Sequence, residues 1–128
     1  NLTMAQRLLR KLCDQCKESY TPNAEEKKEI LEAIAHVPKD IQPKTPATLY
    51  RAKTEGCNAC NGIGYKGRIG VFEIISVDDT IEKLIITSPS EGDIKKAAIA
   101  QGELTMRHDG ILKIIAGLTD FAELNKTV

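Results

Sequence analysis

Two Cys-x-x-Cys pairs constrain this chain more than any other feature: Cys13-Asp14-Gln15-Cys16 near its start and Cys57-Asn58-Ala59-Cys60 further on. Together they hold all four cysteines of the sequence. Two residues between ligands let both thiolates of a pair turn toward one cation. Two such pairs complete a tetrahedron with metal–sulfur distances of about 2.3 Å. A four-thiolate shell leaves no position for water, so the spacing points to structural rather than catalytic Zn2+, with Cys13, Cys16, Cys57 and Cys60 as ligands. A redox dithiol needs one pair, not two, usually on a thioredoxin-like βαβ unit that the pattern lacks. Four unrelated core cysteines are the remaining alternative. Arg10, Lys11, Lys17 and Lys66 stand near the cysteines in sequence and are placed to offset thiolate charge. Structural zinc stabilises small peptides by roughly 10–16 kcal/mol, comparable to the ~5–15 kcal/mol of a whole domain.

The 128 residues are enough for one domain with a modest core. Only 4% are aromatic and none is Trp, so that core must be aliphatic. A formal net charge of zero gives no electrostatic reason to expect nucleic acid as a partner. No apolar run approaches the ~20 residues that span a bilayer, and Asn1-Leu2-Thr3-Met4 opens no signal-peptide core. These features read as cytoplasmic, where paired cysteines are more often metal ligands than disulfides. The absence of an initiator Met and the immediate start of a patterned segment suggest a piece of a larger protein.

Periodicity gives an α+β reading: a small tetracysteine zinc-binding subdomain with short strands over 1–77, then a C-terminal helical bundle over 78–128. Thr3 and Gln6 resemble a capping box, and Ala5, Leu8, Leu9 and Leu12 have the spacing of one helix face. A helix is therefore expected to deliver Cys13. Asn23 and Glu26 form another capping box for a helix to about Ala35, with Ile30, Leu31 and Ile34 on its apolar face. Pro38, Pro43 and Pro46 break regular structure, leaving Leu49 to Ala52 as a short strand. Ile69 to Val77 reads as a strand covered on both faces. Helices are then expected around Ile81, Leu84 and Ile85, from the Ser90/Asp93 cap to Gly102, and from Thr105 to Ala116 with Gly117 as C′ residue. A last one runs from Asp120 to Lys126, capped by Thr119. His108 and Asp109 read as a cluster at a helix N-terminus.

The glycines after the second pair match several patterns at once. Gly62-x-Gly64-x-x-Gly67 satisfies a dinucleotide fingerprint, but a metal knuckle precedes it and a strand follows, the reverse of the required strand–turn–helix order. A P-loop would need Lys and Ser/Thr after the last glycine, where Arg68 and Ile69 stand. What remains is structural: residues without Cβ let the backbone fold tightly round a metal and turn into a strand. Cys60-Asn61-Gly62-Ile63-Gly64 also matches one CxxCxGxG repeat of DnaJ-type co-chaperones, which carry four.

The order of motifs is more specific than any one of them. Ala5-Gln6-Arg7-Leu8-Leu9-Arg10-Lys11-Leu12-Cys13 leads to the first pair, and Gly56-Cys57-Asn58-Ala59-Cys60 leads to Gly64-Tyr65-Lys66-Gly67-Arg68-Ile69-Gly70-Val71-Phe72-Glu73. Met106-Arg107-His108-Asp109-Gly110 and Ala116-Gly117-Leu118-Thr119 follow. Over nearly its whole length the chain resembles the C-terminal part of type IV pilus assembly and type II secretion traffic ATPases. The resemblance implies a hexameric extension motor at the cytoplasmic face of the bacterial inner membrane. It implies an upstream RecA-like ATPase domain in the same chain, neighbouring subunits and an inner-membrane platform protein as partners. ATP and Mg2+ would then be bound only by the full-length protein, whose Walker motifs lie upstream. No catalytic residue is expected here, and this piece should be inactive alone. Arg7, Arg10 and Arg68 are candidates for an intersubunit or nucleotide-edge role, since a guanidinium pairs readily with carboxylates and phosphates. The competing reading is a free-standing zinc-dependent module binding protein or nucleic acid.

Overall fold

The computed structural model describes residues 2–76, 83, 86 and 105–128. Its main element is a long antiparallel ribbon, β1 (Leu2–Leu12) against β4 (Tyr65–Ser76). A smaller ladder pairs β2 (Glu18–Tyr20) with β3 (Leu49–Arg51). Three helices complete the described fold: α1 (Ala24–Ala35), α2 (Met106–Ile115) and α3 (Phe121–Thr127). This is the expected α+β class. The expected helices around Ile81 and from Ser90 to Gly102, like the strand end at Val77, lie outside the described residues.

The first segment is a strand, not the helix its spacing predicts. The partner strand explains why. Leu9 pairs with Ile69 and Arg7 with Val71, and Leu9 and Val71 are fully buried on the inner face. On the other face Leu8 stands opposite Gly70 and Met4 opposite Ile74, and Met4, Leu8, Phe72 and Ile74 are all substantially exposed. Between Arg10 and Leu12 the register shifts, so Leu12 becomes buried as well. A strand with apolar residues on both faces and an irregularity near its end reproduces helical spacing, and pairing with β4 overrides local helix preference. The expectation that Ile69 to Val77 is covered on both faces also needs correction. Phe72 is 39% exposed and Ile74 43%, so the ribbon has one packed face and one open one.

The other expectations on described residues hold more closely. Asn23 accepts from the Glu26 N–H at 2.8 Å while the Glu26 carboxylate accepts from the Asn23 N–H at 3.0 Å, closing the capping box of α1. Thr105 caps α2 by accepting from the His108 N–H at 3.1 Å, and Gly117 follows its end. The cap of α3 is Asp120, not Thr119: Asp120 accepts from the Glu123 N–H, whereas the Thr119 hydroxyl donates to the Arg10 carbonyl.

One aliphatic core joins elements from both ends of the chain. Leu9 and Val71 of the ribbon, Ile30, Ala33 and Ile34 of α1, Leu49 of β3, Ile111 and Ile114 of α2, and Phe121 and Leu124 of α3 pack in a single cluster. At Gly110 of α2 an added Cβ would run into the fully buried Leu124 side chain of α3. Gly110→Ala should therefore overpack this contact and destabilise the fold by about 1–3 kcal/mol, despite the better helix propensity of alanine. Thermal denaturation reads this; an unchanged or raised melting temperature would show that Leu124 repacks freely.

Candidate metal centre

The antiparallel register builds the centre. Pairing of Leu12 with Tyr65 sets the residue after β1 beside the residue before β4, and the Cys13 N–H donates to the Gly64 carbonyl at 3.1 Å. The first pair turns over the Cys13 carbonyl, which accepts from Cys16 at 3.4 Å and from Lys17 at 3.0 Å. The second pair lies on a short 3-10 turn, Asn58–Cys60, followed by Asn61 in the left-handed region (φ 56°). Gly64, at φ +85°, closes this turn: a Cβ there would stand 2.8 Å from the Lys53 carbonyl oxygen. At Gly56 (φ +62°) a Cβ would collide with the backbone of Gly62, so the approach to the second pair also requires glycine.

All four thiol sulfurs lie within 4.8 Å of one another. Cys13–Cys57, Cys16–Cys60 and Cys57–Cys60 each have Sγ–Sγ separations of 3.8 Å. That matches the ~3.8 Å edge of a tetrahedron whose centre is about 2.3 Å from each sulfur. No disulfide links them. Cys13 and Cys60 are buried, and Cys16 and Cys57 are half-buried. The Cys60 Sγ accepts two backbone N–H bonds, from Cys57 and Gly64, each at 3.2 Å. Such donors stabilise a thiolate and fix its orientation.

The electrostatics of the cluster point the same way. Burial raises the Cys60 thiol, but the Cys57 and Gly64 N–H groups and the neighbouring sulfurs outweigh it and bring the value down to about 6. Cys16 is pushed up to about 12 by burial and by its contacts with Cys57, Cys13 and Cys60. Four crowded thiols cannot all ionise without a cation among them, and a divalent metal removes that conflict. The donor set and spacing fit Zn2+ in a closed tetrahedral site.

Two of the basic residues near the cysteines, Lys17 and Arg10, are engaged by other groups. The Lys17 ammonium donates to the Gly117 carbonyl at 3.0 Å, lies 3.4 Å from Asp14 and sits over the Tyr50 ring. Arg10 already has partners within the chain. Its backbone N–H and guanidinium both donate to Glu123, and it stacks on Tyr65 at 4.1 Å. Arg7 and Arg68 are exposed, and Arg68 stands opposite Arg10 in the ladder.

Behind the centre is a polar network that the sequence reading passed over. Buried Asp120 accepts from the Tyr65 hydroxyl at 2.8 Å, from the Ala52 N–H at 3.0 Å and from the Glu123 N–H at 3.0 Å. Burial and this bond raise the Tyr65 phenol above its ordinary value. The Leu12 N–H donates to the Leu118 carbonyl at 2.8 Å, so residues 117–120 strap the end of β1. The available signal was Asp120-x-x-Glu123, an acidic cap three residues ahead of a glutamate.

Comparison with known proteins agrees with the motif order. The chain matches the type II/IV secretion system protein family over residues 1–126. It is 36% identical over 121 residues to the type IV pilus assembly ATPase PilB of Thermus thermophilus, covering 94% of this chain and 13% of that protein. It is 37% identical over 121 residues to the type II secretion system ATPase E of Vibrio cholerae, covering 94% of this chain and 22% of that protein. The PilB of Myxococcus xanthus is 32% identical over 124 residues, 97% of this chain and 20% of that protein. The chain belongs to the type II/IV secretion system protein family. It spans about a fifth or less of the length of these relatives.

Burial of Glu123 disfavours its charge, but the bonds and charge of Arg10 prevail and hold its carboxyl below the usual 4.5. Its contribution is then fully present above pH 4.5 and is lost as pH falls through the lower folded value. Glu123→Gln should cost about 1–3 kcal/mol near neutrality, and the two stability curves should converge in acid. Chemical denaturation across pH tests this, and parallel curves would show that the ion pair contributes nothing.

Proposed function

We propose that this chain is the C-terminal metal-binding part of a pilus or secretion assembly ATPase, with a structural Zn2+ held by Cys13, Cys16, Cys57 and Cys60. The observation that carries this reading is the convergence of all four thiols within 4.8 Å in a chain matched to the family over residues 1–126. The relatives' names give them ATPase activity in pilus assembly or type II secretion. In the protein to which this chain belongs, ATP and Mg2+ would be bound by a RecA-like domain in the remaining length. The part described here carries no proposed catalytic residue.

The metal's role is to fix the corner where β1 ends and β4 begins, and through it the ribbon. The open face formed by Met4, Leu8, Phe72 and Ile74 supports docking against the rest of the same polypeptide, since an apolar two-stranded ribbon is marginal without cover. Arg10 is committed to Glu123, so contacts with neighbouring subunits of a hexamer or with a nucleotide edge fall to Arg7 and Arg68. An inner-membrane platform protein is the further partner, with the motor at the cytoplasmic membrane face. Among the described residues no helix is long and apolar enough to cross a membrane.

Elemental analysis of the chain purified under reducing conditions tests the centre: about one zinc per chain is expected, with a collapse of melting temperature on chelation. Cys57→Ser should abolish stoichiometric zinc and lower the melting temperature sharply. A metal-free protein indifferent to chelator would overturn the assignment. Incubation with ATP should release no phosphate above a blank, and steady turnover would mean that the catalytic machinery is here after all.

A further inference from the structure

Two histidines outside the metal centre lie face to face across the contact of α1 and α2. His36 is the C-cap residue of α1, and His108 is in the first turn of α2. Their ring centroids are 4.4 Å apart and their planes are inclined by 23°. Both residues are half-buried. The His108 Nδ1 is enclosed and, among the described residues, has no hydrogen-bond partner. Glu32, one turn before His36, and Arg107, next to His108, are the charged groups that act on His108. Arg107 directs its guanidinium to Glu29 of α1 and Asn125 of α3, so an ion pair flanks the ring stack across the same contact.

Neutral imidazoles stack favourably, whereas two imidazolium rings at this separation repel. Both ring nitrogens carry a proton in imidazolium, and the His108 Nδ1 is shut off from water, so that N–H of the charged form would go unsolvated. We propose that the His36–His108 stack is a proton-sensitive clamp between α1 and α2, closed while the rings are neutral and loosened when the pair is protonated. The position gives the clamp reach. Helix α1 lies in the excursion between the two cysteine pairs, and α2 leads into the strap at residues 117–120.

The direction of the His108 shift agrees with this. Burial lowers it below 6.5, His36 lowers it further, and Glu32 acts in the opposite sense without reversing the result. A folded value below the unfolded one means that the stabilisation is complete above pH 6.5. It is lost as pH falls from 6.5 to the folded value, because the unfolded chain binds the proton first.

The test compares melting of the unaltered chain and His108→Phe between about pH 7.5 and about pH 5.5. Phenylalanine keeps a stacked ring and removes the titration. The unaltered chain should lose several degrees more than the variant over this interval; equal losses would overturn the clamp. Acid also weakens thiolate coordination, but it does so in both proteins and cancels from the comparison. Should His108→Phe not fold, histidine ring resonances of the unaltered chain decide. A His108 midpoint below 6.5 supports the clamp. A His108 midpoint at or above 6.5 overturns it.

Discussion

The register of one antiparallel ladder governs this structure. Because Leu12 pairs with Tyr65, the exit of β1 and the entry of β4 are held side by side, and the Cys13–Gly64 bond follows from that pairing. Neither Cys-x-x-Cys pair could assemble a four-sulfur cluster alone. A slip of one residue would turn every side chain of β1 to the opposite face, burying Leu8 in place of Leu9. The apolar core and the thiol cluster therefore depend on the same alignment, and each stabilises it for the other.

The C-terminal helix reinforces that alignment from behind. Asp120 gathers donors from Ala52, Tyr65 and Glu123, which belong to the approach to the second cysteine pair, the start of β4 and α3. Glu123 accepts from the Arg10 backbone near the end of β1. A carboxylate this buried is tolerated because its oxygens are occupied by donors rather than left bare. The polar residues behind the cysteines thus act as fasteners between segments distant in sequence.

The sequence made some of this legible and concealed the rest for physical reasons. The cysteine pairs could be read because thiolate spacing is a local property, and the cap of α1 because Asn23 and Glu26 satisfy one another within four residues. The strand β1 could not be recognised from Ala5, Leu8, Leu9 and Leu12 alone. Its outer face is apolar too, and its register breaks before Leu12, so only its partner strand distinguishes it from a helix. The partners of Arg10, Glu123 and Tyr65, are hidden from the sequence for the same reason: tertiary structure supplies them. The fate of Thr119 is similar, since a carbonyl from β1 claims its hydroxyl and leaves the cap to Asp120.

The excursion from the first cysteine pair to the second leaves and returns at one corner. Cys13 and Cys57, 44 positions apart, bring their sulfurs to 3.8 Å, and the β2–β3 ladder pins the two arms again just beyond. Between those pins, the span that contains Pro38, Pro43 and Pro46 carries no ladder of its own. Closing a longer loop between fixed ends costs little, about 0.6 kcal/mol per doubling of its length. The mostly exposed stretch from Pro38 to Pro46, beyond α1, can therefore change in length at little cost while α1 keeps its place in the core and the corner that holds the excursion stays unchanged.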